Sequence, residues 1–197
     1  NIKKEELASR LDGIIVKLFK VREKRIHPQK DDKILTDWNG LMIAAMARAG
    51  AVLNNDIYVQ SAVKAMDFIL QNLQNKDGSL LKRYRKGNAG LTGVLDDYAF
   101  TIWGLIELYQ MNYNETYLEI AMDLCEYQIE EFWDFDKHGF FFTAKSGEQL
   151  LVRSKEVYDG AIPSGNSVSA YNLIRLARMT SRPDFEETAF QIFNAFA

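Results

Sequence analysis

Apolar and polar positions along the chain fall into seven helix-length segments of two alternating kinds. The segment over residues 4–24 carries Leu7, Leu11, Ile14, Leu18 and Val21 as one stripe on a charged rod, the pattern of a helix that buries a single face. Residues 38–53 are different: Leu41, Met42, Ile43, Ala44, Ala45, Met46 and Ala47 leave that segment apolar nearly all round, which predicts burial on most sides. The stripe returns over 57–73 with Tyr58, Ala62, Ala65, Ile69 and Leu73. Segment 97–111 is apolar around its circumference, 115–132 is striped and acidic outside, 164–179 is mostly apolar, and 185–196 is striped. The order is outer, inner, outer, inner, outer, inner, outer. This is an internal repeat of helix hairpins, and each inner helix is covered by the one that follows it. Two concentric layers of helices satisfy the pattern, which predicts an all-α fold of the α/α toroid type. An extended α-solenoid is the main alternative.

The connections are unequal. Inner-to-outer links are short, as in Asn54-Asn55-Asp56 and Asn112-Tyr113-Asn114, whereas outer-to-inner links run from Gln74 to Leu95 and from Trp133 to Pro163. In alternating hairpins all the long links lie at one end of the bundle. Long ordered loops on one end of a rigid scaffold are where binding and catalysis concentrate. Within them, Phe140-Phe141-Phe142-Thr143 and Gln149-Leu150-Leu151-Val152 flank Lys145-Ser146-Gly147, predicting a short β-hairpin near 140–152. Leu80-Leu81-Lys82-Arg83-Tyr84 reads as another short extended piece.

Each inner helix begins at that decorated end, with Thr36-Asp37-Trp38-Asn39-Gly40, Leu95-Asp96-Asp97-Tyr98 and Pro163-Ser164-Gly165-Asn166-Ser167. These are residues that cap orphan backbone N–H groups. Capping does not use both members of the Asp96-Asp97 pair, because successive helical residues point about 100° apart. With Asp96 as the cap, its neighbour points into the mouth. Asp97 and Asp159, from different hairpins, are the candidate catalytic carboxylates. Trp38, Asn39, Asp96, Tyr98, Trp103, Tyr158 and Asn166 are the candidate substrate-binding residues. Carboxylates, amides and aromatic faces around one opening suit a saccharide.

Bulk properties narrow the choice. The 197 residues carry a net charge of −3, which points away from nucleic acid as a partner. No apolar run approaches the ~18–20 residues of a membrane span, so no membrane partner is expected, and a cytoplasmic location is. The single cysteine excludes an internal disulfide framework, and its place on the stripe Leu118, Met122, Cys125, Ile129 reads as a buried thiol. The two histidines, His27 and His138, lack zinc spacing. Asp134-Phe135-Asp136-Lys137-His138-Gly139 imitates a calcium loop, but Lys145 stands where the bidentate glutamate belongs. No metal and no cofactor is expected. Lys82-Arg83-Tyr84-Arg85-Lys86 reads as a solvated loop or, more sharply, as a contact for an anionic sugar or phosphate.

Four blocks carry a resemblance: residues 30–47 (KDDKILTDWNGLMIAAMA), 93–109 (GVLDDYAFTIWGLIELY), 132–144 (FWDFDKHGFFFTA) and 158–177 (YDGAIPSGNSVSAYNLIRLA). Together they resemble the thioredoxin-domain-containing family whose animal members are called spermatogenesis-associated proteins. The resemblance implies a thioredoxin-like domain joined to an α/α toroid similar to six-hairpin glycosidases and N-acylglucosamine 2-epimerases. This chain has no Cys-x-x-Cys. Residues 1–197 are therefore read as a single unit, an incomplete toroid of about three hairpins and a leading helix from a longer protein, without the thioredoxin-like part. The expected function is a carbohydrate-related domain, glycosidase-like or sugar-isomerising, with this piece alone inactive. The alternative is a non-catalytic scaffold or protein-binding module that partners a thioredoxin-like domain in the full-length protein.

Overall fold

The structure, a computed structural model, describes residues 2–197, which group into two compact units divided after Asp32. The first holds α1 (Lys4–Arg22), which buries none of its residues. Glu5 and Glu6 in its first turn and Lys20 and Arg22 in its last complement the helix dipole. Arg10 donates to Glu6 at 2.7 Å one turn away.

The second unit, Lys33–Ala197, contains β1 (Ile34–Leu35), α2 (Thr36–Leu53), α3 (Asp56–Asn72), β2 (Leu81–Arg85), β3 (Asn88–Thr92), α4 (Leu95–Asn112), α5 (Glu115–Phe132), α6 (Gly165–Thr180) and α7 (Pro183–Ala195). Helix α4 packs against α2 on one side and α6 on the other, while α3, α5 and α7 each lie on the inner helix that precedes them. The two-layer alternation is the observed architecture. Its central member α4 is the one buried nearly all round, because it has inner neighbours on both sides. Helix α2 departs from the expected all-round burial: Trp38, Met42, Val52 and Leu53 stay exposed along one face.

Close approach of the inner helices depends on Gly40. A Cβ there would sit 2.6–2.8 Å from the backbone of Phe100 and Thr101, so α2 and α4 touch backbone to backbone at their N-terminal halves. Below this contact the core runs through Ile43, Met66, Ile69, Ile102, Leu105 and Leu124 into Leu173, Phe185 and Ile192. Cys125 is buried in it, and that burial pushes its thiol pKa up. The short links close with left-handed residues: Asn54, Tyr113 and Ser181 have φ of 50°, 55° and 57°, and each donates its N–H back to the helix it ends.

The three strands form one antiparallel sheet in the order β1-β2-β3. The hairpin of this fold therefore lies at 81–92 and not at 140–152. Its turn, Lys86-Gly87, has positive φ at both residues, 50° and 83°, as a two-residue turn between twisted strands requires. The 140–152 segment spends its backbone groups elsewhere. Phe140 bridges Trp133, the Asn166 side chain accepts from Phe140 N–H and donates to its carbonyl, and Phe142 accepts from Leu95 N–H and donates to the Ser154 carbonyl. Leu151 is left fully exposed. The loop is ordered by its neighbours, without a ladder of its own.

Both long loops fold over one end of the inner helices, as the link lengths predict. Leu95 N–H at the start of α4 donates to Phe142 at 3.0 Å, Thr36 at the start of α2 donates its hydroxyl to Leu81, and Asn166 in α6 holds Phe140 and Glu156.

Candidate functional site

The N-termini of α2, α4 and α6 converge beneath these loops, and the carboxylates of the sequence meet there. Helix α4 begins after Val94, so Asp96 and Asp97 are its second and third residues. Asp97 is fully buried. One of its oxygens accepts from Val94 N–H at 2.8 Å, closing the first turn, and the other accepts from Asp37 N–H at 3.0 Å. Lys82 Nζ stands 3.1 Å from Asp37 and 3.6 Å from Asp97, spanning the two carboxylates. One buried side chain thus pins the starts of α2 and α4 and the strand β2. Burial pushes the Asp97 pKa up to about 7, against the pull of Lys82 and of Val94 N–H. Burial also works against the charge on Lys82, but Asp97 and Asp37 outweigh it and hold the ammonium pKa above its usual value.

The assignment of the two neighbours is thereby reversed from the sequence reading. Asp97 does the capping, and Asp96, half-buried, faces the junction of α4 with α6 and accepts from Gly165 N–H. Gly165 has no room for a side chain there: a Cβ would approach the Asp96 carboxylate and come within 2.7 Å of Leu95. Burial, followed by the charges of Asp37 and Glu156, raises the Asp96 pKa to about 6, with Lys82 and Gly165 N–H opposing. A carboxyl group of that pKa exchanges its proton near neutrality, which suits a general acid or base.

The other nominated residues separate into two groups. Asp159 lies on the exposed loop before α6, accepting from Ser164 N–H at 2.8 Å and from the Ser167 hydroxyl at 2.9 Å. Those bonds hold its pKa below the usual carboxylate range. Asn166, 1% exposed, is wholly occupied with Phe140 and Glu156. Tyr98 is also 1% exposed; its hydroxyl accepts from Leu80 N–H at 2.8 Å, and its ring stacks on Tyr127 at 5.3 Å. These three support the scaffold. Tyr98→Phe is expected to lower stability by about 1–2 kcal/mol, because the buried Leu80 N–H loses its partner; urea denaturation measures the difference.

Trp38 is 61% exposed beside Leu41, Met42, Ala45 and Ile162, and Tyr158 is 86% exposed on the loop. Asn39 donates to the Leu35 carbonyl. Trp103 sits two turns into α4, edge-on to Tyr171 at 5.7 Å, with its indole N–H donated to Glu107 at 3.0 Å.

Sequence reasoning placed Lys82 only in a basic stretch read as a solvated loop or an anion contact, and it did not nominate Asp37, Glu156, Glu107, Gln110, Tyr171 or Arg175. The last four had a signal, since Asp96, Phe100, Trp103, Glu107 and Gln110 recur at helical spacing, as do Val168, Tyr171 and Arg175. Nothing in the sequence placed Lys82 or Glu156 beside these carboxylates, since only loop geometry brings them to the helix ends. Among the described residues no group of three or more His, Cys, Asp or Glu is placed to hold a metal ion, and no helix is long and apolar enough to cross a membrane.

Comparison with known proteins places these features in context. No protein-family model matches the chain. It is 36% identical over 203 aligned residues to spermatogenesis-associated protein 20 of Rattus norvegicus, an alignment covering 98% of this chain and 26% of that protein. Among solved structures, a cellobiose 2-epimerase from Bacillus thermoamylovorans aligns with a TM-score of 0.70 at 19% identity, over 86% of this chain and 46% of that one. A GH76 alpha-mannanase of Bacteroides thetaiotaomicron aligns with a TM-score of 0.69 at 15% identity, over 85% and 46%. The chain is thus similar over nearly its whole length to about a quarter of spermatogenesis-associated protein 20, and its helix hairpins follow the α/α toroid fold of six-hairpin glycosidase-like structures.

Proposed function

We propose that this chain supplies part of the saccharide-binding mouth of a glycosidase-like or sugar-isomerising toroid, with Asp96 as its proton-transferring carboxyl. The reading is carried by the position of Asp96. It is the one residue of the Asp96-Asp97 pair left partly open, it lies where three helix N-termini and both long loops meet, and burial, followed by the charges of Asp37 and Glu156, raises its pKa to about 6. The fold neighbours named cellobiose 2-epimerase and alpha-mannanase support a carbohydrate ligand. In this scheme Asp97 positions Asp37 and Lys82 behind the reacting group. Asp159 caps α6 beside it, and Trp38 and Tyr158 offer exposed rings to sugar faces.

Asp96→Asn in the full-length protein tests the scheme. Turnover of oligosaccharide is expected to fall at least about 100-fold, with loss of a pH-rate limb near 6. Stability should move the other way. The folded-state pKa of Asp96 is raised, so the folded protein holds its proton more tightly than the unfolded chain. Its contribution is favourable at pH 4 and is lost as pH rises to about 6. The amide removes that penalty, so the variant is expected to be about 1 kcal/mol more stable than the parent at pH 7.5 and no more stable at pH 4, the full shift being discounted for solvent screening. Unchanged turnover in Asp96→Asn, or a full-length protein that neither binds nor converts any oligosaccharide, would remove the proposal.

A second reading, a non-catalytic scaffold partnering a thioredoxin-like domain, draws on a different observation. Asp97, Asp159, Asn166 and Tyr98 all spend their hydrogen bonds on the fold. Under it, Asp96→Asn leaves retention of the partner domain intact and there is no saccharide turnover to lose.

A further inference from the structure

The inner helices flank a second polar cleft, open to solvent and far from the carboxylate cluster. It has a volume of about 400 Å³ and lies between the C-terminal halves of α2, α4 and α6. From Asp96 to Glu107 the rise along α4 is roughly 16 Å, so the two sites are separate. The walls are Ala47, Ala51, Val52 and Met111; the polar groups are Arg48, Glu107, Gln110, Tyr171 and Arg175.

Most of these groups are fixed before any ligand arrives. The Glu107 side chain is 6% exposed, and its Oε1 accepts both Trp103 Nε1 at 3.0 Å and Arg175 Nη1 at 2.7 Å. Arg175 also donates to Gln110 at 2.7 Å and lies over the Tyr171 ring at 5.0 Å. Three things are left over. Glu107 Oε2 takes neither of those bonds, although the side chain is nearly buried. The Tyr171 hydroxyl has no partner among the described residues. Arg48 makes no ion pair or hydrogen bond among them either. Two guanidinium groups and one carboxylate line the cleft, so it carries an excess positive charge, and the unpaired guanidinium is a planar fork suited to a carboxylate. The leftover acceptor and hydroxyl suit ligand hydroxyl groups, and the volume fits a single small molecule.

We propose that this cavity binds a small hydroxylated carboxylic acid, such as a sugar acid, with Arg48 receiving the carboxylate and Glu107 and Tyr171 the hydroxyls. The inference does not rest on the role of Asp96.

The test is calorimetric titration of the full-length protein with glucuronate, glucose and inorganic phosphate as probes. Glucuronate is expected to bind at least about tenfold more tightly than glucose, and Arg48→Ala to weaken glucuronate about tenfold or more while leaving glucose unchanged, the scale of one charge-assisted hydrogen-bonded pair. Arg48 is exposed and unpaired, so its substitution leaves the melting temperature in place. Asp96→Asn should leave glucuronate binding intact, which separates this site from the mouth. Equal affinity for glucose and glucuronate, no glucuronate binding, or no effect of Arg48→Ala each overturns the proposal. Phosphate displacing glucuronate at equal or lower concentration overturns the carboxylate assignment.

Discussion

Replacing Asp97 by alanine is expected to cost about 3–5 kcal/mol of folding stability, the scale for breaking a buried charged network at one member. Three groups lose their partner at once. The N–H of Asp37 becomes a buried donor and that of Val94 a half-buried one, each without its acceptor, and Lys82 loses one of the two carboxylates that hold it. The side chain has no access to water that could take over, being 0% exposed. Asp97→Asn retains an acceptor oxygen but replaces the other with a donor, so it repairs at most one of the two backbone bonds and should fall between alanine and the parent. Urea denaturation of both variants measures the order. Near-parental stability in Asp97→Ala would mean that the helix starts are held by packing alone. Because Asp97 and Asp96 are adjacent, the pair gives a sharp contrast: one neutralising substitution is expected to destabilise, the other to stabilise at neutral pH.

Gly40→Ala is the second large effect. The added methyl would lie 2.6 Å from the Phe100 carbonyl carbon and 2.8 Å from Thr101 N, both backbone atoms of a helix that is itself packed on two sides. A flexible side chain could rotate away; a helix backbone cannot, so α2 must move off α4. That places the cost at or above the upper end of overpacking, about 3 kcal/mol, in spite of alanine's better helix propensity of about 1 kcal/mol. The displacement would also separate Asp37 from Asp97, three residues from the point of contact. Thermal melting combined with saccharide binding by the full-length protein reads both consequences. A variant as stable as the parent would show that the two helices are less closely apposed than this.

The hydrophobic pattern was sufficient for the helices, their alternation and the end at which the long loops gather. These are consequences of local periodicity and link length, and the observed spans agree to within about two residues at most ends. The same periodicity assigned Cys125 to the core. The pattern could not place the hairpin. Phe140-Phe141-Phe142 looks like a strand, but its amide and carbonyl groups are claimed by Asn166, Leu95 and Ser154, the first two of them more than 20 residues distant. The true turn, Lys86-Gly87, lacks the asparagine or aspartate that marks such turns.

Which aspartate caps and which faces the mouth was also beyond the sequence. An N-cap rule looks for a polar side chain at the cap, and here the cap position is Val94, with its N–H satisfied by Asp97 from within the helix. Sequence by itself determined that carboxylates, amides and aromatic rings start the inner helices. Only the tertiary structure decided their division of labour, because burial and charge are set by neighbours from distant segments: Gly165 and Glu156 beside Asp96, and Asp37 and Lys82 around Asp97.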